Sequence, residues 1–228
     1  MLMANVPPLK ILCIHGYRQD GQAFRERTGA FRKIIKKHAE LVFITAPNRV
    51  PPLETEDQVK AEETDVRGWW FSRPEDDFYN PLDYTETAKG FEASLQCVFD
   101  AFKEQGPFDG ILSFSQGSSF LSLLCSIQQK DPDSPLKFDF GIFVSGFKSR
   151  QKSHEKYYDT VIEMPTLHVF GDTDKVIPKE MSEELLQHYK EPKVINHTGG
   201  HFIPATSLQK KVYQEFLDMM IERKKLKE

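Results

Sequence analysis

Short apolar runs alternate with longer segments of helical periodicity along most of the chain. The first apolar run covers residues 9–14 and ends at His15-Gly16, and residues 21–38 then place their apolar side chains close to one face of a helix. This alternation is typical of proteins in which strands joined by helical crossovers build a parallel sheet. We therefore predict an α/β fold with a mostly parallel central sheet and helices on both faces.

The same periodicities place the remaining elements. Further strands are predicted at residues 41–45, 108–114, 138–145, 166–170 and 193–197. Further helices are predicted at residues 84–105, 116–129 and 179–190, and in a closing amphipathic segment that buries Leu208, Val212, Phe216, Met219 and Met220. With no internal repeat and no low-complexity segment, the sequence predicts one domain over residues 1–228 without a large separate cap domain.

Periodicity is lost between residues 46 and 83, which we interpret as an irregular insertion near the functional site. The insertion carries five prolines, an acidic stretch at residues 54–65 and both tryptophans of the chain. An acidic stretch is usually a solvated loop, although a long irregular segment in a compact domain is often functional. Its aromatic residues either wall an apolar ligand pocket or anchor the loop to the core; they are Trp69, Trp70, Phe71, Phe78 and Tyr79.

Composition narrows the possible functions. A formal net charge of −4 excludes a generally basic nucleic-acid binder. The three cysteines lie far apart in apolar stretches, which favours buried reduced thiols of a cytoplasmic protein over a disulfide framework or a zinc site. The N-terminal residues lack the basic and apolar regions of a secretory signal, and no apolar run approaches the roughly 20 residues that span a bilayer.

The central motif is Ser113-Phe114-Ser115-Gln116-Gly117, between a predicted strand and a predicted helix. A strand-to-helix turn of this kind, the nucleophile elbow, projects a serine hydroxyl above the sheet, and small residues flank it because strand and helix nearly touch. Ser115 is the candidate nucleophile, with Ser113 in place of the usual first glycine and directed into packing. The alternative is a serine that merely caps a helix.

His201 is the candidate general base. It lies in Thr198-Gly199-Gly200-His201, after the last predicted strand, where the chain order nucleophile, acid, histidine of the α/β-hydrolase fold places it. A zinc pair with His197 is disfavoured because the H-E-x-x-H pattern lacks its glutamate. Among the remaining histidines, His168 is expected in the core, whereas the others are expected at the surface: His38, His154 and His188.

Two aspartates compete for the role of the acid that orients the imidazole. Both follow the strand predicted at residues 166–170, in Gly171-Asp172-Thr173-Asp174. The usual spacing of glycine, two residues, aspartate, apolar residues and proline selects Asp174. Asp172 is better placed to accept a hydrogen bond from the backbone of its own turn, as in an Asx turn.

Two backbone N–H groups are expected to form an oxyanion hole, where one donor is typically worth about 10²–10³ in rate. One is that of Gln116, directly after the candidate nucleophile, and the other that of Tyr17, in the loop after the first strand. His15 is expected to brace this loop. No glycine-rich phosphate loop of the G-x-G-x-x-G or Walker type is present, so the sequence predicts no nucleotide cofactor. Because the His197 pattern and the cysteine spacing both disfavour zinc, it predicts no metal either.

Six segments in order resemble the FSH family of eukaryotic serine hydrolases over nearly the whole chain. They are Cys13-Ile14-His15-Gly16-Tyr17-Arg18-Gln19, Arg67-Gly68-Trp69-Trp70, Gly110-Ile111-Leu112-Ser113-Phe114-Ser115-Gln116-Gly117, Val144-Ser145-Gly146-Phe147, Phe170-Gly171-Asp172-Thr173-Asp174-Lys175-Val176-Ile177-Pro178 and Gly199-Gly200-His201-Phe202-Ile203-Pro204. The resemblance implies an α/β-hydrolase fold with nucleophile Ser115, acid Asp174 and base His201. It also implies a cytosolic carboxylic-ester hydrolase without a cofactor, and Ser113 departs from the family's usual glycine.

The leading hypothesis is therefore a serine carboxylesterase that acts on a small-molecule acyl ester through an acyl-enzyme. Trp69 and Trp70 are the candidate substrate-binding residues, and the resemblance favours medium- to long-chain aliphatic acyl groups. Thioesters use the same triad chemistry and stay open, as does the oligomeric state. The alternative from another class is a hydrolase scaffold that serves only as a binding protein, but such domains usually lose a triad member.

Overall fold

The computed structural model of the protein describes residues 7–52 and 65–227. Its strands are β1 (Leu9–Ile14), β2 (Ala39–Ile44), β3 (Asn48–Arg49), β4 (Arg67–Gly68), β5 (Gly110–Phe114), β6 (Phe140–Val144), β7 (Thr166–Gly171) and β8 (Lys193–His197). Six of them form one sheet in the order β2-β1-β5-β6-β7-β8, and every neighbouring pair in it is parallel. β3 and β4 form a separate antiparallel pair.

Helices cover both faces of the large sheet. They are α1 (Gly21–Arg27), α2 (Gly29–Ile35), α3 (Phe91–Gln105), α4 (Gln116–Lys130), α5 (Lys179–Leu186) and α6 (Ser207–Lys225), with a 3₁₀ helix at Lys152–Tyr157. One core joins the sheet to α3, α4 and α5, and a second core joins its other face to α1, α2 and α6. The predicted parallel sheet with helices on both faces is confirmed.

The central strands are mostly apolar because both of their faces are covered. All residues of β5 and β6 are buried, as are those of β7. In an open parallel sheet the carboxyl ends of the strands share one edge, and ligands bind there. The loops after β1, β5, β7 and β8 therefore meet at one place, which is where the sequence predicted the site.

Several predicted elements need correction. The helix predicted at residues 21–38 is two helices, α1 and α2, which are separated at Thr28-Gly29, a pair of poor helix formers. The helix predicted at residues 84–105 begins only at Phe91, since Gly90 adopts a left-handed backbone with φ of 88°. Leu208, predicted on the buried face of α6, is 79% exposed. The helix predicted at residues 179–190 ends at Leu186.

Part of the irregular insertion can be placed. Of the stretch between residues 46 and 83, residues 53–64 and with them most of the acidic stretch lie outside the described residues. The described part of the insertion contains β3 and β4. Its aromatic side chains pack into the core beside α3 and α4. None of the helices within residues 7–52 and 65–227 combines the length and the apolar character needed to cross a membrane.

Candidate active site

Ser115 stands at a sharp turn between β5 and α4. Its backbone has φ of 53° and ψ of −119°, a conformation that residues other than glycine rarely adopt and that clusters at functional sites. The N–H of Ser115 donates to Val144 O at 2.9 Å, which ties the turn to β6. The local geometry is that of a nucleophile elbow.

Small residues on either side of Ser115 let the strand and the helix approach. A Cβ added to Gly117 would lie 2.4 Å from His15 O and 2.6 Å from Ile14 O, so a larger residue there would collide with the β1 backbone. Ser113 fits because its side chain is buried, with Oγ 2.9 Å from Ser118 Oγ and 3.1 Å from Ile142 O. As predicted, Ser113 points into packing.

The structure brings Asp174 and His201 together at the ends of β7 and β8. His201 Nδ1 lies 2.7 Å from Asp174 Oδ2, and the imidazole packs 4.7 Å from the ring of Phe114. The side chain of Asp174 is 1% exposed. Its other oxygen, Oδ1, accepts the backbone N–H groups of Val176 and Ile177, each at 2.9 Å.

These bonds determine the charge of Asp174. Burial alone raises the pKa of the carboxyl, but the hydrogen bonds from His201, Ile177 and Val176 outweigh it and hold the pKa below its usual value. An ionised carboxylate can only accept, so His201 Nδ1 must carry the proton. That tautomer leaves Nε2 of His201 able to accept a proton.

Asp172 has a different environment from Asp174. Its carboxylate accepts from Lys179 Nζ at 3.0 Å and from Asn196 Nδ2 at 3.0 Å, at the surface. The bond from Lys179, more than the bond from Asn196, holds the pKa of the Asp172 carboxyl below its usual value. The Asx turn expected for Asp172 is therefore replaced by contacts to α5 and β8, and only Asp174 contacts the imidazole.

The loop after β1 is braced by His15 as expected. His15 Nδ1 donates to Gly16 O at 2.7 Å, and Nε2 accepts the N–H of Ala46 at 3.0 Å. Burial lowers the pKa of His15 to about 4, so the ring is neutral near pH 7. Within the described part of the chain, the N–H groups of Tyr17 and Gln116 donate no hydrogen bond.

Trp69 and Trp70 are both 0% exposed, and their rings pack against Phe120 of α4. The Trp69 indole donates to His15 O at 2.7 Å, and that of Trp70 donates to Gln151 Oε1 at 2.9 Å. Neither side chain reaches the cavity beside Ser115. This corrects the interpretation of both tryptophans as pocket walls and leaves the alternative, aromatic anchors that fix the insertion to the core.

A cavity of about 700 Å³ opens beside Ser115 and His201. Its walls are mostly apolar and come from five separate parts of the chain. They include Tyr17, Phe24, Phe78, Tyr79, Pro81, Phe114, Val176, Phe202 and Ile203, and Arg18 and Arg27 also line the cavity. The Ser115 hydroxyl makes no hydrogen bond within the described residues, so it is not paired with His201 in this conformation. Such bonds are often long or absent before substrate binds.

Three contributions were not predicted. Ser145, at the end of β6 with φ of 49°, donates from Oγ to Asp174 Oδ2 at 3.0 Å. Phe24 of α1 and Phe202 form part of the cavity wall. Ser145 and Phe202 lie in segments that carried the family resemblance, which was the available signal, whereas nothing in the sequence marked Phe24.

Two other histidines, His154 and His168, lie in the core. His168 stacks on Phe143 with ring centres 4.4 Å apart, and burial lowers its pKa to about 3, as fits the predicted core position. His154, predicted at the surface, is buried against Trp70 and Phe91, which corrects that prediction. Among residues 7–52 and 65–227, no group of three or more His, Cys, Asp or Glu side chains is arranged to hold a metal ion.

Solved structures place the architecture in a known class. SOBER1 of Arabidopsis thaliana superposes with a TM-score of 0.58 at 18% identity, covering 94% of this chain and 100% of that one. Acyl-protein thioesterase 2 of Zea mays gives a TM-score of 0.63 at 15% identity, covering 93% and 95%. At such identities the likeness shows the fold alone, which is the predicted α/β-hydrolase fold.

The family follows from sequence comparison. The model of the serine hydrolase (FSH1) family matches residues 3–213, and the chain belongs to that family. Esterase OVCA2 of Danio rerio is 46% identical over 219 residues, covering 92% of this chain and 96% of the relative. The human protein of the same name is 41% identical, covering 96% and 100%. The predicted resemblance to this family is confirmed.

Proposed function

We propose that the protein is a serine carboxylesterase in which Ser115, His201 and Asp174 act as nucleophile, base and acid. The observation that carries the proposal is the 2.7 Å contact between His201 Nδ1 and a buried Asp174, in the wall of the cavity that Ser115 also lines. Membership of the serine hydrolase (FSH1) family and relatives named esterases support it.

The mechanism is acyl transfer. Ser115 Oγ attacks the ester carbonyl while His201 Nε2 takes its proton, and Asp174 stabilises the imidazolium that forms. The carbonyl oxygen becomes an oxyanion, for which the N–H groups of Tyr17 and Gln116 are the proposed donors. His201 then returns its proton to the leaving alcohol, which gives the acyl-enzyme. Water, activated by the same imidazole, releases the carboxylic acid and regenerates Ser115.

The decisive experiment compares two serines of one elbow. Ser115→Ala should lower kcat for an aryl acyl ester by about 10⁶, the typical cost of removing a triad serine. Ser113→Ala is the matched control, since Ser113 is buried and bonds only to Ser118 and Ile142, and it should keep most of the activity. An alanine at residue 115 that retained most of the activity would exclude the assignment.

Labelling by a fluorophosphonate separates an enzyme from a mere binding scaffold. Only an activated serine reacts efficiently with the reagent. Its oxygen forms a bond to phosphorus, and fluoride leaves from the phosphorus. Wild type should therefore be labelled at Ser115, and the Ser115→Ala variant should not. A wild-type chain that stays unlabelled while it binds acyl esters would favour the scaffold alternative.

We further propose that the acyl group is a medium- to long-chain aliphatic one. The cavity is about 700 Å³ and most of its wall is apolar, so each added methylene that is buried contributes about 0.8 kcal/mol. With nitrophenyl esters from acetyl to dodecanoyl, kcat/KM should rise with chain length. A preference for the acetyl ester would contradict this assignment without affecting the triad.

A cytoplasmic location is also proposed. Cys13, Cys97 and Cys125 are all free thiols, and Cys13 and Cys125 are buried. Free thiols persist where glutathione keeps them reduced. Fractionation of cells that express the protein with a tag would test the location, and recovery in a secreted or organelle fraction would contradict it.

A further inference from the structure

The two proposed oxyanion donors come from elements that are far apart in sequence. The N–H of Tyr17 belongs to the loop after β1, and that of Gln116 begins α4. Catalysis by an oxyanion hole requires both donors to be held at a fixed separation before reaction. The residues Arg67–Trp70, which we call the brace, contact both elements.

On one side the brace contacts the side chain of Gln116. Gln116 Oε1 accepts the N–H of Trp69 at 2.9 Å, and Gln116 Nε2 donates to Trp70 O at 2.8 Å. The side chain is 0% exposed, so water does not compete for these bonds. The start of α4 is therefore tied to the brace by two bonds that use both ends of one amide.

On the other side the brace encloses the loop that carries Tyr17. The Trp69 indole donates to His15 O at 2.7 Å, Arg18 N–H donates to Arg67 O at 2.9 Å, and Arg67 N–H donates to Gln19 O at 2.9 Å. The bonds fall on both sides of Tyr17. A Cβ at Gly68 would lie 2.9 Å from the Tyr17 ring, so the brace backbone also packs directly against this residue.

Side chains of other elements donate hydrogen bonds to the carbonyl groups of the brace. Asn48 Nδ2 donates to Gly68 O and to Trp69 O, each at 3.1 Å, and Ser94 Oγ donates to Trp69 O at 2.5 Å. A fully buried ring stack of Trp69 on Phe120, with centres 5.1 Å apart, adds a contact to α4. This support comes from β3, α3 and α4.

We propose that the brace sets the separation of the two oxyanion donors, with the Trp69 indole and the Gln116 side chain as positioning residues. Neither side chain lines the cavity beside Ser115, so each would act through a backbone group. The inference rests on the proposed function, because it requires an oxyanion to stabilise. It gives Trp69 and Gln116 side-chain roles other than the substrate contact or the backbone donation predicted from sequence.

The test compares two equivalent tryptophans. Trp69→Phe removes the bond to His15 O and keeps an aromatic ring on Phe120, whereas Trp70→Phe removes an equivalent bond to Gln151, away from the oxyanion loop. Both side chains are fully buried, and each variant keeps an aromatic ring while it loses one indole N–H bond. Thermal unfolding of each variant fixes an assay temperature at which both are folded.

We expect Trp69→Phe to lower kcat by about 10–10², less than the 10²–10³ of a lost donor, with KM unchanged. Its Ki for an aryl trifluoromethyl ketone, which forms a tetrahedral oxyanion adduct with Ser115, should rise by the same factor as kcat/KM falls. Trp70→Phe leaves in place the backbone carbonyl that accepts from Gln116 and the indole bond to His15, so it should change both constants much less than Trp69→Phe does. Should Trp69→Phe fail to fold, Gln116→Met keeps the backbone donor, removes both amide bonds and should show the same kcat and Ki pattern.

Two failures can be told apart. If wild type has no ester hydrolysis that depends on Ser115, the proposed function is wrong. If wild type is active and Trp69→Phe matches Trp70→Phe in kcat and Ki, or if Gln116→Met changes KM alone, the brace proposal is wrong and the esterase assignment stands.

Discussion

Asp172 and Asp174 show how position within one turn separates two carboxylates. Asp174 is buried and bonds to His201, Ser145 and two backbone N–H groups, whereas Asp172 lies at the surface with Lys179 and Asn196. The pKa of each carboxyl is lowered, but only Asp174 can fix the tautomer of the imidazole. A matched pair of substitutions follows.

Asp174→Asn should lower kcat by about 10⁴, because an amide can donate to Nδ1 and select the wrong tautomer of His201. Asp172→Asn removes the charge from a surface pair worth about 0–1 kcal/mol and should leave kcat near that of wild type. Steady-state kinetics of the two variants on one ester check this. Equal losses of kcat in the two variants would contradict the assignment of Asp174 as the acid.

Spacing rules predicted Asp174, but they could not predict what surrounds it. The glycine-to-aspartate spacing depends on how a chain leaves a strand, which is local and visible in sequence. The bond from Ser145 joins residues 29 positions apart, on neighbouring strands whose order no sequence pattern gave. The burial of His154 was missed for the same reason, since its contacts to Trp70 and Phe91 are long-range.

At the scale of elements, the close approach of α4 to β1 at Gly117 is the tightest requirement of the elbow. A methyl group at this glycine would meet two carbonyl oxygens of the β1 end, and backbone atoms cannot rotate away as side chains can. The start of α4 and the end of β1 are therefore packed backbone to backbone at this point.

Gly117→Ala should destabilise the protein by about 1–3 kcal/mol, the usual cost of overpacking, and reduce kcat as α4 shifts. Gly29→Ala provides the control, since an added Cβ there meets no atom within 4 Å. Chemical denaturation and ester hydrolysis measure the two effects. Wild-type kcat and stability for Gly117→Ala would show that the elbow is looser than the geometry indicates.

Element types were largely predictable, and their ends were not. β1 and β8 match the predicted residues. β1 stands out as a compact apolar run that is buried almost throughout, whereas β8 is an edge strand in which only Ile195 and His197 are buried. The start of α3 was placed too early because the break is made by Gly90, whose left-handed backbone accommodates the side chain of Asn48. That contact crosses from the insertion to the helix, so local periodicity gave no sign of it.

At the scale of the whole molecule, buried neutral histidines couple stability to pH. Burial lowers the pKa of His15 and of His154 to about 4 and that of His168 to about 3, against an unfolded value near 6.5. Between these values the unfolded chain binds protons that the folded chain does not, so the free energy of unfolding rises with pH. The contribution of these histidines to the free energy of unfolding is fully present above about pH 6.5, and it is lost as the pH falls toward 4.

Thermal unfolding should therefore show a midpoint that drops steadily from neutral pH to about pH 4.5. His168→Gln removes one of the three groups and keeps an amide near Thr166, so its midpoint should fall less steeply over the same range. A variant and a wild type with parallel profiles would show that His168 does not contribute to this dependence.

The strand order has a consequence for the protein during its own synthesis. The serine follows a central strand, whereas its proposed base follows β8, which lies at the sheet edge and is the last strand made. A ribosome-bound chain that has already folded β1, β5 and β6 still lacks the imidazole. The proposed nucleophile would thus stay chemically inert until the outermost strand docks, so a fluorophosphonate would report completion of the sheet.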